Sequence, residues 1–139
     1  MIAILMAAAL AQASPGLLRL EELAASLDLC ATRAAHLEHD GLAWAEHDRR
    51  LVLVALIGAD QAFAAAVEVP GALAADDGTD VARALDDAGR ALREWSDARA
   101  ALDRPWMRSA ARRLREAIER AQAIVSAAEA ADTAARPSS

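Results

Sequence analysis

Residues 15–41 read PGLLRLEELAASLDLCATRAAHLEHDG, and their spacing decides the fold class. Leu20, Leu23, Leu27, Cys30, Ala34 and Leu37 step by 3, 4, 3, 4 and 3, the interval that lays apolar side chains along one face of a helix and forms a heptad seam. Ser14 stands where an N-cap is wanted, Pro15 suits a first turn, and Asp40-Gly41 supplies an exit. This stretch predicts a helix over 16–40 with one buried stripe.

The same seam recurs downstream. Val81, Leu85, Ala88, Leu92, Trp95 and Leu102 keep it, with Arg99 intruding at one position, and Met107, Ala110, Leu114, Ala117 or Ile118, Ala121, Val125 and Ala128 keep it again. Between them, Leu51 to Ala59 is a nine-residue apolar run, read as a helix segment more buried than its neighbours. Pro70-Gly71 ends that helix. Asp76-Asp77-Gly78-Thr79-Asp80 reads as a loop that caps the next, and Asp103-Arg104-Pro105 breaks the third segment from the fourth, since proline fits a helix only in its first turn. Four helices follow, over about 16–40, 42–69, 79–102 and 104–132. Matched lengths and short connections predict an all-α, four-helix, up-down-up-down bundle. The alternative architecture runs the chain through Gly41 and Pro105 as kinks and gives one long kinked antiparallel helical hairpin.

The chain has 139 residues, of which 40 are Ala and all 15 basic residues are Arg, and it has no Tyr. That bias fits GC-rich bacterial coding, favours helix because alanine gives up no side-chain entropy, and leaves room for one domain only. Residues 1–13, MIAILMAAALAQA, form an uncharged apolar stretch that ends in the small-x-small pattern Ala11-Gln12-Ala13. They read as a secretory signal peptide, too short to span a bilayer. The expected organisation is therefore a signal over 1–13, one bundle over 14–132 and a disordered tail over 133–139, in a periplasmic or secreted protein with no membrane span in its mature chain. Should 1–13 instead be an apolar first segment of the domain, the protein is cytoplasmic. Leu27-Asp28-Leu29 before Cys30 do not suit a lipoprotein signal. On the seam, Cys30 reads as a small buried hydrophobe, against the alternative of an intermolecular disulfide.

The formal net charge is −6, but it is divided unevenly. Residues 1–103 hold 17 acidic side chains and 8 Arg, and residues 104–139 hold 4 acidic side chains and 7 Arg. Arg104, Arg108, Arg112 and Arg115 fall on one flank of the last helix. A nucleic-acid stripe is one reading of that flank. A basic helix pairing with acidic neighbours inside a net-negative bundle is the stronger one, and no aromatic residues interleave to stack on bases.

The sequence holds no metal, haem, phosphate-loop or nucleophile-elbow motif and implies no cofactor; an enzyme is not indicated. His36 and Asp40, four residues apart, are the pair best spaced to share a metal, yet the helical wheel turns both outward, so no metal site is expected. In either architecture one end of the molecule gathers His36, His39 and His47 with Trp44, Trp95 and Trp106, beside Arg99, Arg104 and Arg108. Trp and Arg are enriched at binding hot spots, so Trp44, His47, Trp95, Arg99, Trp106 and Arg108 are the candidate partner or ligand residues. The competing reading is that tryptophan fills space where an alanine-rich bundle widens. A buried Arg99 needs a partner, either Asp103 or the Glu46 and Asp48 region. In the second helix, a core face of Val52, Leu56, Ala59, Phe63 and Ala66 forces Val54 and Ile57 outward as a possible interface, with Arg50, Gln61 and Glu68 at its rim. The functional expectation is an exported, non-catalytic bundle that binds another protein or itself. The alternative is a small-ligand or metal carrier using the His and Trp end.

Overall fold

The computed structural model describes residues 14–39 and 44–135, and the expected signal over 1–13 lies outside them. Four helices are present, α1 (Pro15–His39), α2 (Ala45–Val67), α3 (Ala75–Ala100) and α4 (Arg104–Ala135), with no strand among the described residues. α1 packs on α2 and α4, α3 packs on α4 and α2, and the diagonal pairs do not meet. That is the square of an up-down-up-down bundle. In a kinked hairpin α1 would run on into α2 and α3 into α4, and neither pair would pack side by side. Both do, so the hairpin is excluded.

The seams form the core as their spacing requires. Leu20, Leu23, Leu27, Cys30 and Ala34 of α1 are wholly buried and share one core with Val52 and Ala59 of α2, Val81 and Ala88 of α3, and Leu114, Ala121 and Val125 of α4. Each buried leucine contributes roughly 1.5–3 kcal/mol relative to exposure. Alanine at so many facing positions lets the axes approach closely but leaves little side-chain volume. Trp95, 1% exposed and the bulkiest wholly buried side chain, fills the space that results.

Ends and breaks differ in part from the sequence reading. Ser14 caps α1 as expected: its Oγ accepts from the Leu17 N–H at 3.0 Å. α3 begins at Ala75 rather than 79, with extended Ala74 as its N-cap and the Gly78 N–H donating to the Ala74 carbonyl at 2.9 Å. The acidic run is thus helix and not loop, because Asp76 and Asp77 in the first turn complement the positive end of the helix dipole. α4 runs to Ala135, so residues 133–135 of the expected tail are helical; Ser14 Oγ donates to Asp132 at 3.3 Å and ties that last stretch to the start of α1. Leu51 to Ala59 is not the deeply buried run it suggests, since Leu53, Val54 and Ile57 are all exposed. By length and composition α2 is apolar enough to cross a bilayer, because it carries a core stripe and outward apolar residues together.

The four joints are unequal. α3 and α4 are packed most extensively, and α2 and α3 least.

Candidate functional site

The end where α1 and α3 stop and α2 and α4 start is the one that the Trp and Arg residues mark. It is built on the break between α3 and α4. The Leu102 N–H donates to the Arg99 carbonyl at 3.0 Å and the Asp103 N–H to the Ala98 carbonyl at 2.9 Å, the paired bonds of a Schellman motif. Such a motif needs a left-handed residue, which is usually glycine. Here the position is Leu102, with φ of 55°. The following Asp103 caps α4, its Oδ1 accepting from the Trp106 N–H at 3.1 Å. Asp103 is therefore a cap and not the partner of Arg99.

Arg99 reaches across to α2 instead. Its Nη1 lies 2.8 Å from Glu46 Oε2, and Arg49 Nη2 lies 2.6 Å from Glu46 Oε1. Arg50 Nε approaches the same carboxylate at 3.5 Å. The hydrogen bond from Arg49, with the charges of Arg49, Arg99 and Arg50, holds the Glu46 carboxyl below the usual carboxylate range. Glu46 so ties the start of α2 to the end of α3, across the joint with the least packing. Glu46, Ser96, Arg99, Ala100 and Leu102 line a shallow groove there.

The six candidate partner residues divide. Trp44 is 67% exposed at the entry to α2, and Trp106, Arg108 and His47 are also exposed. Trp95 belongs to the core and presents nothing to a ligand. Its seam position marked it for burial, and the competing reading of tryptophan as filler holds for this one residue. Arg99 is part-exposed, with its Nη1 paired to Glu46. Leu102 was missed: the heptad count placed it on the core seam, yet it lies beyond the helix and is 79% exposed. The Asp-Arg-Pro break directly after it was the signal that the seam had already ended.

Of the proposed metal pair, His36 is exposed and Asp40 lies outside the described residues, as does the side chain of His39. Among the described residues no group of three His, Cys, Asp or Glu side chains is placed to hold a metal. Cys30 is buried and its thiol is pushed up to about 12, first by burial and then by the charge of Asp60. Burial of this kind keeps the thiol protonated and unreactive at neutral pH, as for a structural core cysteine.

Of the basic flank of α4 only Arg115 pairs within the bundle among the described residues, while its neighbours Arg113 and Arg120 pair with α3. Arg113 pairs with Glu94 and Arg120 with Asp87 at 2.9 Å on the α3 side, and Arg115 pairs with Glu38 at 3.0 Å on the α1 side. Arg104, Arg108 and Arg112 make no ion pair among the described residues, and all three are exposed. Val54 and Ile57 face outward on α2, as the wheel predicts. Against protein-family models, curated proteins and solved structures, the chain has no match.

Proposed function

We propose that this protein is an exported, non-catalytic helical bundle that docks another protein through the end where Trp44, Leu102 and Trp106 are displayed. The observation that carries the reading is Leu102. A leucine in the left-handed region costs about 1–2 kcal/mol of strain, and this one recovers almost none of it by burial, being 79% exposed. Glycine would serve the turn better. A residue that burdens the fold in both respects, four residues before exposed Trp106, fits selection for contact with something outside the fold. Arg104, Arg108 and Arg112 beside this end suit a partner whose apolar pocket is rimmed by carboxylates. The apolar stretch over 1–13 supports export.

The carrier reading has less behind it. A carrier needs an enclosed pocket or convergent ligands, whereas the groove at this end is shallow and its charges are already paired with each other.

Site-specific photo-crosslinking in the native host tests the proposal. A photoreactive residue is placed at Trp44, Leu102 or Trp106 in turn, with Ala74 and Thr133 at the far end as controls. One adduct of common mass from the three test positions, absent from both controls, is the expected result. Equal labelling at both ends, or none, would refute it.

A further inference from the structure

α2 carries a second seam. Arg50, Val54, Ile57, Gln61, Ala64 and Glu68 step by 4, 3, 4, 3 and 4 and every one of them is exposed, with Val54 at 67% and Ile57 at 48%. The core seam of the same helix runs through Val52, Leu56, Ala59 and Ala66 on the opposite side. Exposed Val54, Ile57 and Ala64 give this face an apolar centre, and Arg50, Gln61 and Glu68 rim it with polar groups. α1 and α3 cover the inner face of α2, and among the described residues no element covers the outer one.

The seam is self-complementary in one direction only. Laid antiparallel against itself and centred level with Ala59, it sets Arg50 opposite Glu68, Val54 opposite Ala64 and Ile57 opposite Gln61, each twice over. Opposite charges meet at both ends, and the branched residues meet smaller or flexible ones. Laid parallel, it would set Arg50 against Arg50 and Glu68 against Glu68, which costs energy. A two-fold axis requires this reciprocity, in which residue i meets j and j meets i. Gly58 borders the seam with open space where a Cβ would stand, which allows a second backbone to come close.

We propose that a second copy of this chain docks on the outer face of α2, helix antiparallel to helix, about a two-fold axis level with Ala59. The proposal is independent of partner docking at the Trp44 end, because it uses a different face of the molecule. One helix pair buries less than a standard interface, so a weak, reversible dimer is expected.

Sedimentation equilibrium of the purified full chain over a range of concentrations tests it, with helicity followed by circular dichroism. Expected is a reversible monomer–dimer equilibrium. Arg50→Glu turns two attractive pairs into two repulsive ones and should weaken the dimer by about tenfold. Glu68→Arg should do the same, and the double reversal should restore the parent affinity. Val54→Asp with Ile57→Asp should leave a monomer. If that variant loses helicity, the charge reversals, which lie on exposed positions, decide the matter alone. A monomer at all concentrations overturns the proposal, and so does a dimer indifferent to the reversals or not restored by the double one. Flotation with vesicles of anionic phospholipid provides a further outcome: binding that depends on Val54 and Ile57 would make this a lipid-facing surface and also overturn it.

Discussion

Replacing Leu102 by glycine should stabilise the protein while removing its contact with a partner. The backbone at this position has φ of 55°, where an L-residue bears about 1–2 kcal/mol that glycine does not. Glycine in turn loses more chain entropy on folding, about 0.5–1 kcal/mol. The leucine side chain is 79% exposed, so its removal forfeits little burial. The balance is a gain of about 0.5–1 kcal/mol, which for a domain of this size raises the melting temperature by about 2–4 °C. Leu102→Ala separates the two causes, since it removes the exposed side chain and keeps the strain; its stability should stay within about 0.5 kcal/mol of the parent. Urea titrations of the three proteins, with midpoint and slope fitted together, provide the measurement. A glycine variant no more stable than the alanine variant would show that the left-handed turn stores nothing, and the argument for selection on Leu102 would go with it. Photo-crosslinking supplies the other half: both variants should lose the adduct formed from Trp44, one of them despite a firmer fold.

Glu46, with its carboxyl lowered by Arg49 and its neighbours, contributes stability that is present above the unfolded carboxylate range and lost as pH falls through its folded value, so Glu46→Gln should flatten the acid limb of a stability–pH curve. Asp60 has the opposite sign: burial and then Asp86 raise it, its contribution is lost as pH rises through the folded value, and Asp60→Asn should raise the melting temperature near neutral pH with the difference closing toward pH 3 or so. Cys30 should resist a thiol reagent in the native protein and react at once in urea; reaction of the native protein would contradict its burial. In the native host the exported chain should start at Ser14 on N-terminal sequencing, and a retained Met1 in a cytoplasmic fraction would refute export.

The helices and their core were legible because periodicity reports burial directly. α1, α3 and α4 bury the residues that their 3-4 intervals name, apart from Leu102 and the partly buried Ala128, and the Ser14 cap and Pro105 entry sit where local chemistry places them. The partner of Arg99 was legible as a region because a charge on a core seam has to reach an opposite charge at the nearest bundle end. Three things were hidden, each for a physical reason. The run from Leu51 to Ala59 reads as deeply buried because its apolar composition is continuous, although the wheel alone already separates Val52 and Leu56 from outward Val54 and Ile57. The acidic residues at 76–80 resemble loop, since the same side chains favour both turns and helix N-termini. Leu102 obeys the heptad count and breaks it in space, because the chain reverses at that residue and a periodicity has no meaning past the last helical turn.

The unequal joints of the bundle give it a spine and a fore-edge. α1 and α2 form one cover and α3 and α4 the other, bound along α1 and α4 by Arg115 with Glu38, by Gln122 with Asp28 at 2.8 Å and by Ser14 with Asp132. The fore-edge between α2 and α3 has Glu46 and Arg99 as its clasp at one end. Farther along, Asp60 and Asp86 line a common groove and repel each other across it. The edge with the least packing is where local opening is expected, and hydrogen exchange should find the amides of α2 exchanging ahead of those in α4.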